Sequence, residues 1–413
     1  MSRDEIYTES ELIVGLDIGT TKIAVIVGSL TEEGNVEIIG IGTHKSTGLK
    51  RGVVNNIEST TESIKRAIEE AEIMADCEIN SVYAGIAGQH IQGRESKGIV
   101  AIRSGEVTQY DVDKVIDAAK AIAIPTDQRI LHVLAKQYVI DGQSSILEPL
   151  GMAGVRLEAD VHIVTGSVTA AQNIVKCVQE CGLDADDVVL EQLASSYAVL
   201  SDDEKELGVC LIDIGGGTTD IAVFTRGTIR YTANIPVAGD HVTNDIAVFL
   251  RTTTHQAEII KTRYSCVVSE MVGPDEEIDV PSLDGSVMRR LRRQSLSDVV
   301  GPRYAELFEL VNNELRRSGL DRQIGAGIVL TGGSSRIEGA LELAEEIFNM
   351  PVKISSPKNI TGLAEVVDNP SFATGVGLLL YGIKHKKDGL QKPVSKDKSG
   401  IFQIMKNWFK NNF

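Results

Sequence analysis

The sequence predicts an α/β protein of two lobes, with a small α+β insert in the first lobe and an amphipathic helix at the C-terminal end. Three stretches carry that prediction. Gly208–Phe224, GVCLIDIGGGTTDIAVF, reads as strand, turn and strand, with Asp213 ending the first strand and Gly215, Gly216, Gly217, Thr218 and Thr219 in the turn. Ile13–Val27, IVGLDIGTTKIAVIV, repeats the plan with Asp17, Gly19, Thr20, Thr21 and Lys22. Gly327–Ser335, GIVLTGGSS, is a β run that ends on Gly332, Gly333 and Ser334.

Glycines let a backbone approach a ligand closely, and a turn of free N–H groups makes an anion nest. A carboxylate beside such a turn presents Mg²⁺ to phosphates through water. One Gly-rich turn is also what an ordinary hairpin contains. Two copies look like an internal duplication, and two facing loops would clamp a polyphosphate with Asp17 and Asp213 bracketing one ion. Neither loop is GxxxxGK[ST]. A strand rather than a helix follows the glycines, which excludes a Rossmann fingerprint. The third motif suits close backbone approach to a base or ribose. Together the three resemble the actin/Hsp70/sugar-kinase superfamily, which implies duplicated ribonuclease-H-like domains and ATP.

A chain of 413 residues has ample core for two or more domains. Its formal charge of -17 makes nucleic acid an unsuitable partner. Five cysteines without CxxC suit a reducing compartment, and Cys177 and Cys181 read as packing residues four apart on a helix. The seven histidines show no ligand spacing. The polar start, MSRDEIYTES, is no signal peptide, and no run has the roughly 18 apolar residues of a membrane span. These features predict a cytoplasmic protein.

In chain order, β runs at 36–42 and 52–54 follow the first hairpin. A helix over 59–74 then buries Ile64, Ala67, Ile68 and Ala71, and a strand follows at 81–86. Residues 87–159 interrupt the core with β runs at 98–103 and 130–139 and one helix, for which Asp111 is the expected cap. The core resumes at 161–164. Ser167 caps a helix that ends at Gly182. After a strand at 188–190, Glu191–Leu200, EQLASSYAVL, reads as a crossing helix whose small residues permit close packing. The second lobe continues with a strand at 228–235 and a helix from Gly239–Asp240 to about Leu250. An arginine-rich stretch (Arg289, Arg290, Arg292, Arg293, Arg303) then leads into a helix to Arg317, which reads either as a solvated face or as a docking surface. A helix over 337–348 follows the third motif, and Phe372–Tyr381 is a second small-residue helix.

After Gly382, KHKKDGLQKPVSKDKSG reads as a flexible basic linker. In the final IFQIMKNWFKNNF, Ile401, Phe402, Met405, Trp408 and Phe409 share one face of a helical wheel, and Lys406 and Lys410 lie opposite. A terminal helix docked on its own core is the competing reading. The polar linker argues instead for binding to an anionic membrane surface.

The short third-strand connection, the small insert and the basic amphipathic tail resemble the FtsA family of bacterial cell-division proteins. So do the local stretches GVCLIDIGGGTTDIAV, AGIVLTGGSSRIEG, NITGL and PRYAELFELV. The likeness spans Ile13 to Phe413. It implies an actin-like two-lobed ATPase fold. First-lobe core would be 1–86 and 161–206, with the insert at 87–160. Second-lobe core would be 207–239 and 312–360, with a subdomain at 240–311. Residues 361–383 would return to the first lobe, 384–400 would be linker and 401–413 the membrane helix.

The resemblance also implies site roles. Backbone groups of Gly19, Thr20, Thr21, Lys22 and of Gly215 to Thr219 would cradle phosphates. Asp17 and Asp213 would hold Mg²⁺ through water. Gly239, Gly332, Gly333, Ser334, Glu258 and Lys261 would surround the adenosine, and Glu191 would either orient the attacking water or serve structurally in closing the cleft. Arg303 would meet the C-terminal peptide of FtsZ, the tubulin-like division protein. By this likeness the protein tethers FtsZ to the inner face of the cytoplasmic membrane at the division site, self-associates and helps recruit later division proteins, and it is at most a slow ATPase. Ser265 departs from the pattern, which has glycine there. A small-molecule kinase would need a catalytic Asp outside the phosphate loops, and a chaperone would need a further domain; neither is evident.

Overall fold

The computed structural model describes residues 12–31, 35–283, 285 and 287–391. The first lobe opens with the hairpin β1 (Leu12–Ile18) and β2 (Lys22–Leu30), buried along nearly its whole length, followed by β3 (Val36–Lys45). Strands covered on both faces read as continuous apolar runs. A two-residue ladder, β4 (Leu49–Lys50) with β5 (Val53–Val54), leads to α1 (Ile57–Ala75). This helix starts two residues before the expected position because Asn56 accepts the Ser59 N–H at 3.0 Å as its cap. The helix lies hard against β3: a Cβ on Gly42 would meet the Ala67 carbonyl at 1.8 Å. β6 (Ser81–Ile86) runs parallel to β1.

The insert contains β7 (Gln92–Ala101), α2 (Gln109–Lys120), β8 (Gln128–Ile140), β9 (Gln143–Ile146) and β10 (Arg156–Ser167). They form an antiparallel sheet ordered β7-β10-β8-β9 with α2 on it and its own apolar cluster. Two expectations change here. Thr108, not Asp111, caps α2; Asp111 is the reciprocal member of a capping box. Val161–Val164 belongs to the insert's sheet, because β10 is one continuous strand paired with β7 and β8 through Thr165.

Ser167 caps α3 (Val168–Glu180), and Gly182 at φ +84° follows its end, as expected. β11 (Asp184–Leu190) feeds α4 (Glu191–Val199), and a capping box at Ser201 opens a short α5 (Asp202–Leu207) that sequence reading missed.

The second lobe repeats the first. β12 (Val209–Ile214), β13 (Thr219–Thr225) and β14 (Thr228–Ile235) form an antiparallel run. Helices α6 (Gly239–Leu250) and α7 (Thr254–Tyr264), the ribbon β15 (Glu277–Pro281) with β16 (Met288–Arg292), and α8 (Arg293–Ser318) follow. Next come β17 (Ile328–Thr331), α9 (Ala340–Phe348) and β18 (Val352–Ile354). A 3₁₀ turn occupies Gly333–Arg336, so the helix after the third motif starts at Ala340 rather than Ile337. β19 (Thr361–Gly362) returns to the first sheet and precedes α10 (Ala364–Val367) and α11 (Ala373–Gln391).

The two sheets read β11-β6-β1-β2-β3-β19 and β14-β13-β12-β17-β18. In each, three antiparallel strands are joined by a parallel fourth beside the first, which is the signature of the duplication. α4 and α11 cross between the sheets and touch through backbone: a Cβ on Gly377 would lie 2.0 Å from the Ala194 carbonyl. α11 also runs to Gln391, well into the stretch read as linker. Its extension is held, since Tyr381 and Ile383 are buried in the first-lobe core and Lys386 Nζ donates to the Leu12 carbonyl at 3.1 Å. The rest of the linker and the tail helix at 401–413 lie outside the described residues.

Candidate functional site

The three glycine motifs converge on one cleft of about 620 Å³, lined also by Glu191, Glu258 and Lys261. Both hairpin turns close alike: the Gly19 N–H donates to the Lys22 carbonyl at 3.1 Å, and the Gly215 N–H to the Thr218 carbonyl at 3.0 Å. Those two amides are therefore committed to the turns and do not serve a ligand. Among the described residues, the N–H groups of Thr20, Thr21, Gly216 and Gly217 have no backbone or side-chain acceptor, so the nest is narrower than expected. The loops interlock, because a Cβ on Gly216 would meet Thr21 Oγ1 at 1.8 Å and one on Gly217 would meet Thr20 Oγ1 at 2.4 Å. The start of α6 is pinned to the second loop through the Asp240 N–H and the Gly216 carbonyl, 2.8 Å.

Four carboxylates crowd the floor. Asp17, Asp213 and Asp220 are buried. Burial, opposed by Lys22 and reinforced by Asp213, pushes Asp17 up to about 7. Burial likewise pushes Asp220 up to about 7, although Asn234 and Thr218 donate to it. Glu191 is driven well above the usual carboxylate range by burial and then by the charges of Asp17, Asp220 and Asp213. Asp213 is raised by burial, against hydrogen bonds from Ser195 Oγ at 2.6 Å and Thr374 Oγ1 at 3.3 Å. The cation of Lys22 points toward the segment before α11, donating to the Ser371 carbonyl at 2.9 Å with the Phe372 ring 3.7 Å away. This excess of negative charge fits a divalent cation. Among the described residues no three such groups converge closely enough to ligate one directly.

The far side of the cleft is a hydrogen-bonded frame. Lys261 Nζ donates to the Gly239 carbonyl at 3.1 Å and to Thr243 Oγ1 at 2.8 Å, and pairs with Glu258 at 2.7 Å. Ser334 Oγ donates to the Gly215 carbonyl at 2.8 Å, and Tyr304 OH to the Ser334 carbonyl at 2.7 Å. Gly332 has φ +84°, and a Cβ there would lie 2.4 Å from Asp213 Oδ1. Ser265 adopts φ -69°, so the position does not demand glycine.

The cleft residues expected from sequence line this site or frame it, except Thr219, which is fully buried at the start of β13 with its hydroxyl donating to the Val237 carbonyl at 2.8 Å. Sequence reading missed Asp220, Ser195, Thr374 and the Ser371–Phe372 seat of Lys22. The signals were slight: an acid two residues beyond the second loop, and hydroxyls on the two crossing helices. Arg303 lies elsewhere, and its guanidinium is already held by Asp245 at 2.6 Å and by Glu306. Its charge is therefore spent within the protein.

The family model for cell division protein FtsA matches residues 210–377, and that for the SHS2 domain inserted in FtsA matches 88–165, the insert. The cell division protein FtsA of Pseudomonas aeruginosa is 58% identical over 410 residues, covering 98% of each chain. This chain belongs to the FtsA family. FtsA of Escherichia coli K12 is 44% identical, covering 98% of this chain and 99% of its own. Among solved structures, the PilM–PilN type IV pilus biogenesis complex aligns with TM-score 0.65 at 16% identity, covering 90% of this chain and 98% of that one. MreB5 of Spiroplasma citri bound to ADP aligns at 0.54 and 17%, covering 93% and 100%. These distant likenesses establish the actin-like fold of this FtsA family member. Among its described residues no helix is long and apolar enough to cross a membrane.

Proposed function

We propose that this FtsA family member binds MgATP in the cleft and acts as a membrane-attached adaptor for FtsZ that self-associates and recruits later division proteins. The interlocked loops over a floor of uncompensated carboxylates carry the nucleotide reading. Free amides of Thr20, Thr21, Gly216 and Gly217 would meet the phosphates, and Asp17 and Asp213 would hold hydrated Mg²⁺. The frame of Gly239, Glu258, Lys261, Gly332, Gly333 and Ser334 would border the adenosine. Fold relatives point the same way, since MreB5 of Spiroplasma citri was solved bound to ADP and to AMPPNP.

Hydrolysis would be slow. Water oxygen would bond to the terminal phosphorus as the bond to the leaving ADP oxygen breaks, and the water proton would pass to a phosphate oxygen. Glu191, ionised once the cation offsets its neighbours, would accept a hydrogen bond from that water and orient it.

The adaptor reading rests on two surfaces. In the second-lobe subdomain, Arg289 Nη2 bonds the Leu250 carbonyl, which joins β16 to the end of α6. Phe249 and Met288, 51% and 60% exposed, flank that joint. Arg292 is exposed and makes no ion pair among the described residues. Apolar anchors beside free positive charge suit the acidic, apolar FtsZ peptide better than Arg303 does. The second surface is the tail, whose sequence pattern suits an anionic leaflet and the cytoplasmic face of the membrane.

Calorimetric titration with MgATP tests the cleft, and co-sedimentation with anionic vesicles tests the tail. Absence of both bindings would overturn the reading.

A further inference from the structure

Glu191 opens α4, and the residue before it is held by the insert. His132, on β8, is buried, and its Nε2 accepts the N–H of Leu190 at 3.0 Å. Leu190 is the last residue of β11 and the N-cap residue of α4, where no side chain caps the helix. The imidazole is built to accept. Burial, opposed by Asp187 and reinforced by His385 and Arg129, pushes it down to about 4, so it is neutral with a free lone pair on Nε2. Its ring is seated edge-on to Tyr381 of α11, centroids 6.2 Å apart, and the Tyr381 hydroxyl bonds Asp187 of β11 at 3.1 Å. On the opposite side, Gly85 leaves room for the Glu191 side chain: a Cβ there would lie 3.1 Å from Glu191 Cγ. The Val189–Leu190 peptide, one removed from Glu191, is thus held from the insert, while the Glu191 side chain lies in a slot on β6.

We propose that His132 is a positioning residue for Glu191, so that the insert sets the geometry of the water-orienting carboxylate. This rests on the reading of Glu191 given above. A buried hydrogen bond to the backbone fixes the start of α4, and a small displacement of a group that aligns a nucleophile costs far more in rate than in ligand affinity. The same link would let any protein that displaces β8 alter turnover without touching the cleft.

The test is single-turnover ATP hydrolysis, with MgATP affinity from calorimetry, on the full chain. His132→Phe keeps the aromatic seat but removes the acceptor, and His132→Gln restores an acceptor. Expected is a slowing of about 10- to 100-fold in H132F, with affinity within about twofold of wild type, and near-normal turnover in H132Q. Glu191→Gln is the control. If E191Q is slow and H132F is not, the proposal falls and the role of Glu191 stands. If E191Q hydrolyses like wild type, or the wild type shows no hydrolysis, the reading of Glu191 fails and takes the proposal with it. Slowing in both His132 variants, or loss of MgATP binding in H132F, would make His132 structural and overturn the proposal.

Discussion

Gly216 faces Thr21 across the cleft so closely that a single added methyl on Gly216 would lie 1.8 Å from the threonine hydroxyl. The two lobes meet at their phosphate-loop candidates through backbone on one side and a short side chain on the other. Gly216→Ala must displace the Thr21 hydroxyl and press on its Cβ, 3.0 Å away, which disturbs the seam between the loops. MgATP affinity by calorimetry should fall at least about tenfold, roughly 1.4 kcal/mol. Unchanged affinity would mean that the loops do not grip the ligand together.

Much of this arrangement is legible in sequence, for a physical reason. Hairpins whose strands are buried on both faces appear as apolar runs, and their turns must be glycine where the opposing loop touches. Local chemistry is legible too: Ser167 and Gly182 bound α3 as expected. Contacts between residues far apart in sequence are not. Nothing in the local pattern says that Arg303 pairs with Asp245, 58 residues away, or that Ser195 and Thr374 converge on Asp213. Asp111 is a good cap by composition, yet it stands three residues inside α2 as the reciprocal member of a capping box whose N-cap is Thr108. The polar composition after Gly382 masked a helix that is held by tertiary contacts, including Lys386 to Leu12.

Asp213 is oriented by Ser195 and Thr374, which both donate to its Oδ2 and leave Oδ1 for the proposed ion. Asp213→Ala should lower nucleotide affinity in Mg²⁺ by at least about tenfold and leave the Mg²⁺-free affinity little changed. Ser195→Ala should give a smaller loss of the same kind, because it removes one donor and keeps the charge. Calorimetry with and without Mg²⁺ separates the two variants from wild type. Equal Mg²⁺ dependence in all three proteins would refute the metal role.

The second-lobe subdomain offers a choice between two arginines. Arg303 is engaged with Asp245 and Glu306, whereas Arg292 is exposed. Arg292→Glu should weaken binding of an acidic, apolar FtsZ-type peptide by about tenfold or more, with charge-assisted hydrogen bonds worth roughly 1.5–3 kcal/mol. Arg303→Gln should chiefly lower thermal stability. A fluorescence titration in which only the Arg303 variant loses the peptide would reverse this assignment.

Residues 401–413 present Ile401, Phe402, Met405, Trp408 and Phe409 on one helical face of the sequence pattern. Lys406 and Lys410 add about 1 kcal/mol each near an anionic leaflet. A single such segment binds weakly, and several on one assembly bind well, which suits the self-association proposed above. Trp408→Glu places a charge in the apolar face and should release the protein from anionic vesicles. Wild-type sedimentation by this variant would rule the segment out as the anchor.

His132 also predicts how stability depends on pH. Its folded value, near 4, lies below the ordinary 6.5. Between those values the unfolded chain binds a proton that the folded protein does not, so stability falls as pH drops from about 6.5 toward about 4. The full shift corresponds to at most about 3 kcal/mol. Asp17 and Asp220, raised to about 7, act in the opposite direction over the same range, but they are present in wild type and variant alike. The comparison with His132→Gln therefore isolates the imidazole. In urea titrations, the stability of wild type relative to H132Q should shrink as the pH is lowered from 7 to 4.5. A difference that stays constant over that range would show that His132 is not held neutral by its surroundings.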